Sequence, residues 1–351
     1  MLGRRQVRLL GPLLATAICV LTATACSAPA GPVPEAAATT AVARTAVATA
    51  ATTTALTPGR PAWVAVSVAT LWRSPASPRP VDRPALARPV RIRAWLSAMT
   101  VDQRRDLNGR ADTQALLGER VRVLRVRGHW ARVAVPDQPS PLDRRGYPGW
   151  VPARQLTGGR PATPGSVATV TARTAWLRTG DPAASNVIEI SFGTNLPYLG
   201  TAGSLVRVRT PLGAVRRIRA SAVVVHGPGR PALPRTGRSL VRAARSFTGL
   251  PYLWAGVSGF GVDCSGLTWV DYRVHGKVIP RDAAPQSAHG SAVPFDRLRR
   301  GDLMFYATGG MVHHVTMYAG NHQMVQAPHT GASVETVPVT LDEYAGARRY
   351  F

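Results

Sequence analysis

Apolar and polar positions along this chain fall into distinct regimes. From Trp63 to Leu156 short runs alternate, as in Val64-Ala65-Val66-Ser67-Val68, Arg120-Val121-Arg122-Val123-Leu124 and Trp130-Ala131-Arg132-Val133-Ala134-Val135, and Pro or Gly breaks them. A period of two predicts strands with one buried face. The stretch between Ala94 and Asp112 is more mixed and suits a helical insert, and Gly146-Tyr147-Pro148-Gly149-Trp150-Val151-Pro152 ends the region with a turn and a strand. A second β-type region runs from Val167 to Val225, where Ala175-Trp176-Leu177-Arg178 weakly echoes Leu71-Trp72-Arg73. Two small β-barrels in tandem, over 61–158 and 163–229, fit this pattern. After a linker of His226-Gly227-Pro228-Gly229-Arg230-Pro231 and Pro234, the period changes. Leu240, Val241, Ala244 and Phe247 predict a helix over 239–247, closed by Gly249. A glycine-rich loop then ends at Asp263, and Leu267, Val270 and Tyr272 predict a second helix starting around Cys264. Leu303 to Tyr306 and His314 to Gly320 read as strands, so 235–351 is predicted to be an α+β domain.

The N-terminus carries export chemistry. Arg4, Arg5 and Arg8 precede a short apolar run from Leu9 to Leu21, and Ala23-Thr24-Ala25 leads into Cys26. This is the layout of a signal peptide over 1–26, too short for a spanning helix. Ala23-Thr24-Ala25-Cys26 also resembles the lipobox of bacterial lipoproteins, which makes Cys26 a lipidation site and membrane anchor. Cleavage after Ala28-Pro29-Ala30, giving a secreted protein, is the alternative. Residues 27–60 are mostly Ala, Thr and Pro and cannot bury a core, so they read as a disordered tether.

Composition adds a sign to this picture. The net charge of +25 rests on arginine, with Lys277 the only lysine. Such an excess predicts attraction to anionic polymers, for an exported protein those of a cell wall. The arginines are scattered without interleaved aromatics, which argues against nucleic acid.

Of three cysteines, Cys19 and Cys26 lie in the export signal, leaving Cys264 without a partner for a disulfide. An unpaired thiol in an exported protein is a candidate nucleophile. Its predicted place at a helix N-terminus favours thiolate through free N–H groups and the helix dipole, with Asp263 as N-cap opposing. A base is available in His314 or its neighbour His313; adjacent strand residues face opposite ways, so only one can meet the thiol. No metal-binding motif such as His-Glu-x-x-His occurs, and neither metal nor cofactor is expected.

Five ordered motifs then make a specific resemblance. They are Pro251-Tyr252-Leu253-Trp254-Ala255-Gly256, Asp263-Cys264-Ser265-Gly266-Leu267, Ile279-Pro280-Arg281-Asp282 with Gln286, Leu298 to Phe305 around Gly301-Asp302, and His314-Val315-Thr316-Met317-Tyr318-Ala319-Gly320. Together they resemble the NlpC/P60 family of cell-wall cysteine peptidases, over about a third of the chain. Leu117-Gly118-Glu119 and the Gly146 to Trp150 run resemble bacterial SH3 domains, and the second β-region does so in outline. The resemblance implies a papain-like fold, helices packed on an antiparallel sheet, preceded by two SH3-like barrels. It implies Cys264 as nucleophile, His314 rather than His313 as base, and Gln326, where histidine is usual, as the orienting residue. Glutamine fixes a tautomer but cannot offset an imidazolium charge. With SH3 domains in front, it implies γ-D-glutamyl-L-diamino acid endopeptidases acting on peptidoglycan stem peptides. Tyr252, Asp263 and Ser265 match substrate-holding positions, with Asp263 suited to a free L-alanine ammonium. Glu119 and Tyr147 are the candidates from the first barrel that restrict entry to freed stems, and Ala283 replaces a serine frequent in the family. An N-acetylmuramoyl-L-alanine amidase and a wall-binding protein without turnover remain the alternatives.

Overall fold

A computed structural model describes residues 55–159, 165–180 and 185–351. The export signal, Cys19, Cys26 and most of the tether lie outside these residues. The first β-region forms β1 (Pro61–Val64), β2 (Val68–Trp72), β3 (Ala111–Leu116), β4 (Arg120–Arg127), β5 (Trp130–Val135), β6 (Tyr147–Pro152) and β7 (Leu156–Thr157). They make one antiparallel sheet in the order β3-β2-β6-β5-β4-β1-β7. The period of two holds where it was read: Val121, Val123, Val133 and Val135 are buried, and Arg120, Arg122 and Arg132 are exposed.

Between β2 and β3 lie three short helices, α1 (Arg83–Leu86), α2 (Ile92–Ala98) and α3 (Val101–Arg105). The insert therefore begins well before Ala94. Pro80 and Pro84 obscured it, because both occupy first-turn positions, where proline costs no hydrogen bond. Trp95 of α2 packs on Trp72 with ring centroids 6.1 Å apart, and its Nε1 donates to buried Asp82 at 2.8 Å.

The second β-region forms β8 (Val167–Val170), β9 (Thr174–Arg178), β10 (Asn186–Ser191), β11 (Asn195–Ala202), β12 (Leu205–Arg209), β13 (Val215–Arg219) and β14 (Val223–His226). Its order, β10-β9-β13-β12-β11-β8-β14, is that of the first sheet with every index advanced by seven. The internal repeat is thus one of topology. The tryptophans that suggested it are not equivalent, since Trp72 is fully buried and Trp176 is 40% exposed.

The last segment holds α4 (Gly237–Arg245), a small hairpin β15 (Val257–Ser258) and β16 (Gly261–Val262), α5 (Cys264–Val274) and α6 (Ala283–Ser287). Strands β17 (Ser291–Val293), β18 (Leu303–Thr308), β19 (Met311–Gly320), β20 (Gln323–Gln326), β21 (Glu335–Pro338) and β22 (Tyr344–Arg349) follow. They form an antiparallel sheet in the order β17-β22-β18-β19-β20-β21, against which α4, α5 and α6 pack. Helix α5 is buried on nearly all sides, with Leu267, Trp269, Val270, Tyr272 and Val274 inside. One apolar core joins α5 to Trp72, Trp95 and Leu116 of the first β-region and to Phe192 of the second. Strand β3 lies along this segment: Ala111 O accepts from Trp254 Nε1 at 2.8 Å, and Thr113 Oγ1 from Arg281 Nε at 2.8 Å.

Candidate active site

Cys264 occupies the first position of α5. Asp263, in extended conformation at φ −93° and ψ 179°, caps the helix by accepting from Gly266 N at 2.6 Å. Gly266 permits this first turn to sit tightly, because a Cβ there would lie 2.0 Å from the Gly256 carbonyl oxygen. The thiol is buried against β19, where the N–H of Val315 reaches it, as does that of Ser265. Burial, with the Asp263 charge adding, pushes the Cys264 thiol up to about 12, and the two N–H groups pull only partly against this. Against the depression expected at a helix N-terminus, desolvation outweighs the two N–H groups.

His314 stands immediately before Val315 on β19. Pairing of Met317 with Val325 sets the register between β19 and β20. Continued along the strands, it puts Gln326 opposite Thr316, so His314 is its diagonal neighbour on the same face. His314 Nε2 and Gln326 Oε1 are 2.9 Å apart, leaving Nδ1 as the ring nitrogen free for sulfur. The tilted ring of Tyr306 covers the imidazole at 5.8 Å between centroids. Burial draws the His314 pKa below 6.5, opposed by the Gln326 hydrogen bond. His313 points the other way, half exposed, with its Nε2 3.3 Å from Glu343. Behind Gln326 stands a residue that the sequence did not single out. Glu335 on β21 pairs across the ladder with Gln326 and accepts from its Nε2 at 2.9 Å.

Asp263 meets Arg281 in a buried bidentate pair, with Nη1 to Oδ1 at 3.0 Å and Nη2 to Oδ2 at 2.6 Å. Arg281 Nη1 also donates to Ser265 Oγ at 3.0 Å, and that hydroxyl donates to Asp263 at 3.3 Å. Both Asp263 oxygens and the Ser265 hydroxyl are engaged internally. Asp263 thus does not offer the unpaired charge expected of an ammonium clamp, because Arg281 neutralises it. Gln286 fastens the same loop to α5, donating to Pro280 O at 2.8 Å and accepting from Thr268 at 2.9 Å. Tyr252 is buried beside Cys264, and desolvation first, with the nearby Asp263 charge, holds its phenol firmly protonated.

The two barrel candidates part company. Tyr147 is buried and hydrogen-bonded to Asp282, whose carboxyl is raised by burial against the pull of Arg281. Asp112 on β3, paired with Arg73 at 2.8 Å, acts electrostatically on both, so Asp282 and Asp112 form an acidic rim near the Tyr147 hydroxyl that Arg73 partly offsets. Asp112 is a residue missed in the sequence; no pattern distinguishes it from any other polar strand position. Glu119 is corrected. It forms a buried ion pair at 2.6 Å with Arg273, in the last turn of α5, roughly 13 Å along the helix from Cys264.

A profile of the NlpC/P60 family matches residues 249–347. The γ-D-glutamyl-L-lysine dipeptidyl-peptidase of Bacillus cereus is 40% identical over 301 residues, covering 82% of this chain and 90% of that protein. The chain belongs to the NlpC/P60 family. The γ-D-glutamyl-L-lysine dipeptidyl-peptidase of Bacillus subtilis is 38% identical, over 80% of this chain and 94% of that protein. A crystal structure of an NlpC/P60 family protein from Bacillus cereus superimposes with a TM-score of 0.79 at 40% identity, covering 83% of this chain and 99% of that one. Residues 104–156 match the Sh3 domain of bacterial dipeptidyl-peptidases, and 170–226 match the YKFC SH3b2 domain. The two β-regions are therefore SH3b domains, and this NlpC/P60 chain is a cysteine-type peptidase of α+β fold.

Proposed function

We propose that the protein hydrolyses peptidoglycan stem peptides at the γ-D-glutamyl–diamino acid bond, with Cys264, His314 and Gln326 as its triad. The observation that carries this reading is the His314–Gln326 hydrogen bond on the strand whose Val315 N–H reaches the Cys264 sulfur. His314 Nδ1 takes the thiol proton as sulfur attacks the amide carbonyl. The carbon–nitrogen bond then breaks, the leaving amine takes that proton, and a thioester remains. Water attacks the thioester with His314 again as base, releasing the acid and restoring the thiol. Tyr252, kept protonated beside Cys264, is a donor for the developing oxyanion.

The acidic rim supports a preference for stems with a free N-terminus. Asp282, hydrogen-bonded to Tyr147 and 3.9 Å from Arg281, is less tightly engaged than Asp263, and its charge suits an L-alanine ammonium. The arginines before Leu9 and the cysteine at 26 support export and lipid anchoring. Mass spectrometry of products from free stem peptides and from intact sacculi tests the reading. The expected product is L-alanyl-D-glutamate from free stems, with little release from sacculi. Intact stems with a free L-alanine terminus released from sacculi, leaving bare glycan strands, would instead assign an amidase, and no release from either substrate a wall-binding protein.

A further inference from the structure

We infer that Glu335 is a positioning residue for catalysis, acting through Gln326; the inference rests on His314 being the base. An amide offers two faces, and the strand alone does not choose between them. With Oε1 toward His314, Gln326 accepts a hydrogen bond from Nε2–H and leaves Nδ1 bare for the thiol. Reversed, its NH₂ would donate to Nε2, drive the ring proton to Nδ1 and block the base. A carboxylate only accepts. Glu335, directly across the ladder and 2.9 Å from Gln326 Nε2, therefore admits the productive orientation alone. It also polarises the amide so that Oε1 becomes a better acceptor as the imidazolium forms. The carboxylate absent from the triad position is thus supplied one residue further back.

The test measures kcat, KM and the iodoacetamide rate of Cys264 against pH for E335A, E335Q and H314A in the full chain. Losing a charge-assisted hydrogen bond lowers kcat by about 10- to 100-fold in E335A. KM stays within about twofold, because no substrate contact is removed. E335Q retains an acceptor and recovers part of the loss, and both variants shift the acid limb of the alkylation profile. If E335A keeps the wild-type kcat and profile while H314A loses both, Glu335 has no such role. If H314A leaves alkylation unchanged, the underlying triad is wrong.

A second inference rests on different residues. We propose that the outer face of α4 binds a linear phosphodiester polymer. Arg238, Arg242 and Arg245 recur at intervals of four and three, so they share one exposed helix face, about 10 Å long, while Leu240, Val241 and Ala244 are buried beneath. Arg300 lines the same cleft, and Arg299 continues the basic surface beside it. Among the described residues, none of these five arginines makes an ion pair with a carboxylate. Guanidinium groups suit phosphate oxygens, and their spread over an open surface suits repeated charges on one strand rather than a single small anion. The surface adjoins Gly320 at the far end of β19 from His314, so a bound polymer leaves the cleft open.

Binding of poly(glycerol phosphate) to the full chain, followed by fluorescence anisotropy across salt concentrations, tests this. The triple variant R238S/R242S/R245S is expected to weaken binding at least about tenfold and to flatten the log K against log salt slope by about 2 units. Its kcat/KM on free stem peptides stays at the wild-type value. Unchanged polymer affinity in the variant overturns the proposal. So does binding to phosphatidylglycerol vesicles without binding to the polymer, which would make this a membrane surface.

Discussion

A thiol pushed up to about 12 and an imidazole drawn below 6.5 are both neutral at pH 7, with no standing thiolate. With His314 as the proposed base, proton transfer and attack occur together, and its protonation state sets the acid limit. The fold lowers that pKa, so the bare ring persists to more acidic pH than in a free histidine, and activity is lost as pH falls through the lowered value. The acid limb of kcat/KM is accordingly expected below pH 6.5. A limb at or above 6.5, in stopped assays on a free stem peptide, would show the imidazole stabilised as a cation instead. This refines what the residues disclosed in order along the chain. Cys264 and His314 could be proposed from the sequence because each sits in a local motif, and Gln326 because the family resemblance implies it. Glu335 and Asp112 were not, since their significance comes from cross-strand register and from one domain meeting another. Nor could sequence weigh the helix dipole against desolvation at Cys264, because burial is a property of the assembled core.

Among the elements, α5 carries chemistry at one end and anchorage at the other. Asp263 and Cys264 begin it, and Arg273 in its last turn pairs with Glu119 of the first SH3b domain while lying over the Trp269 ring at 5.2 Å. Burial pushes the Glu119 carboxyl up to about 7, and Arg273 is the main force holding it down. Glu119→Ala leaves a guanidinium that is 10% exposed with only the more distant Asp137, at 4.0 Å, as counter-charge, a loss of about 3 kcal/mol in denaturant unfolding. The kcat/KM of the folded enzyme is expected to change less than twofold, because the pair is roughly nine residues of helix from the sulfur. A rise in KM with unchanged stability would return Glu119 to the cleft. Element type was readable wherever one period dominated, as in β4, β5, α4 and α5. It was not readable at 80–93, where first-turn prolines hid short helices, nor in the tryptophan echo, which marked a repeated topology through residues of unlike burial.

For the molecule as a whole, the catalytic segment is not an independent body resting on its neighbours. Trp254, Trp269 and Arg281 donate to Ala111 O, Asp137 O and Thr113 Oγ1 of the first SH3b domain, and Val257 N donates to Gln114. Each such bond has a net worth of about 1 kcal/mol. The shared apolar core adds more, since Trp72, Leu116 and Phe192 cover side chains of 240–274, and each large side chain returned to water costs about 1.5–3 kcal/mol. These losses together rival the 5–15 kcal/mol that ordinarily separates folded from unfolded domains. Residues 235–351 expressed alone are therefore expected to lack a cooperative thermal transition and to bind a hydrophobic dye. Arg281 would also lose Thr113, one of the contacts that hold it against Asp263 and Ser265. Supplying residues 55–230 as a separate chain should restore both the transition and the hydrolysis of free stems, because the interface, not the covalent link, completes the core. A sharp unfolding transition in 235–351 alone, within a few degrees of the full chain, would show that the SH3b domains only guard the cleft and do not help to build it.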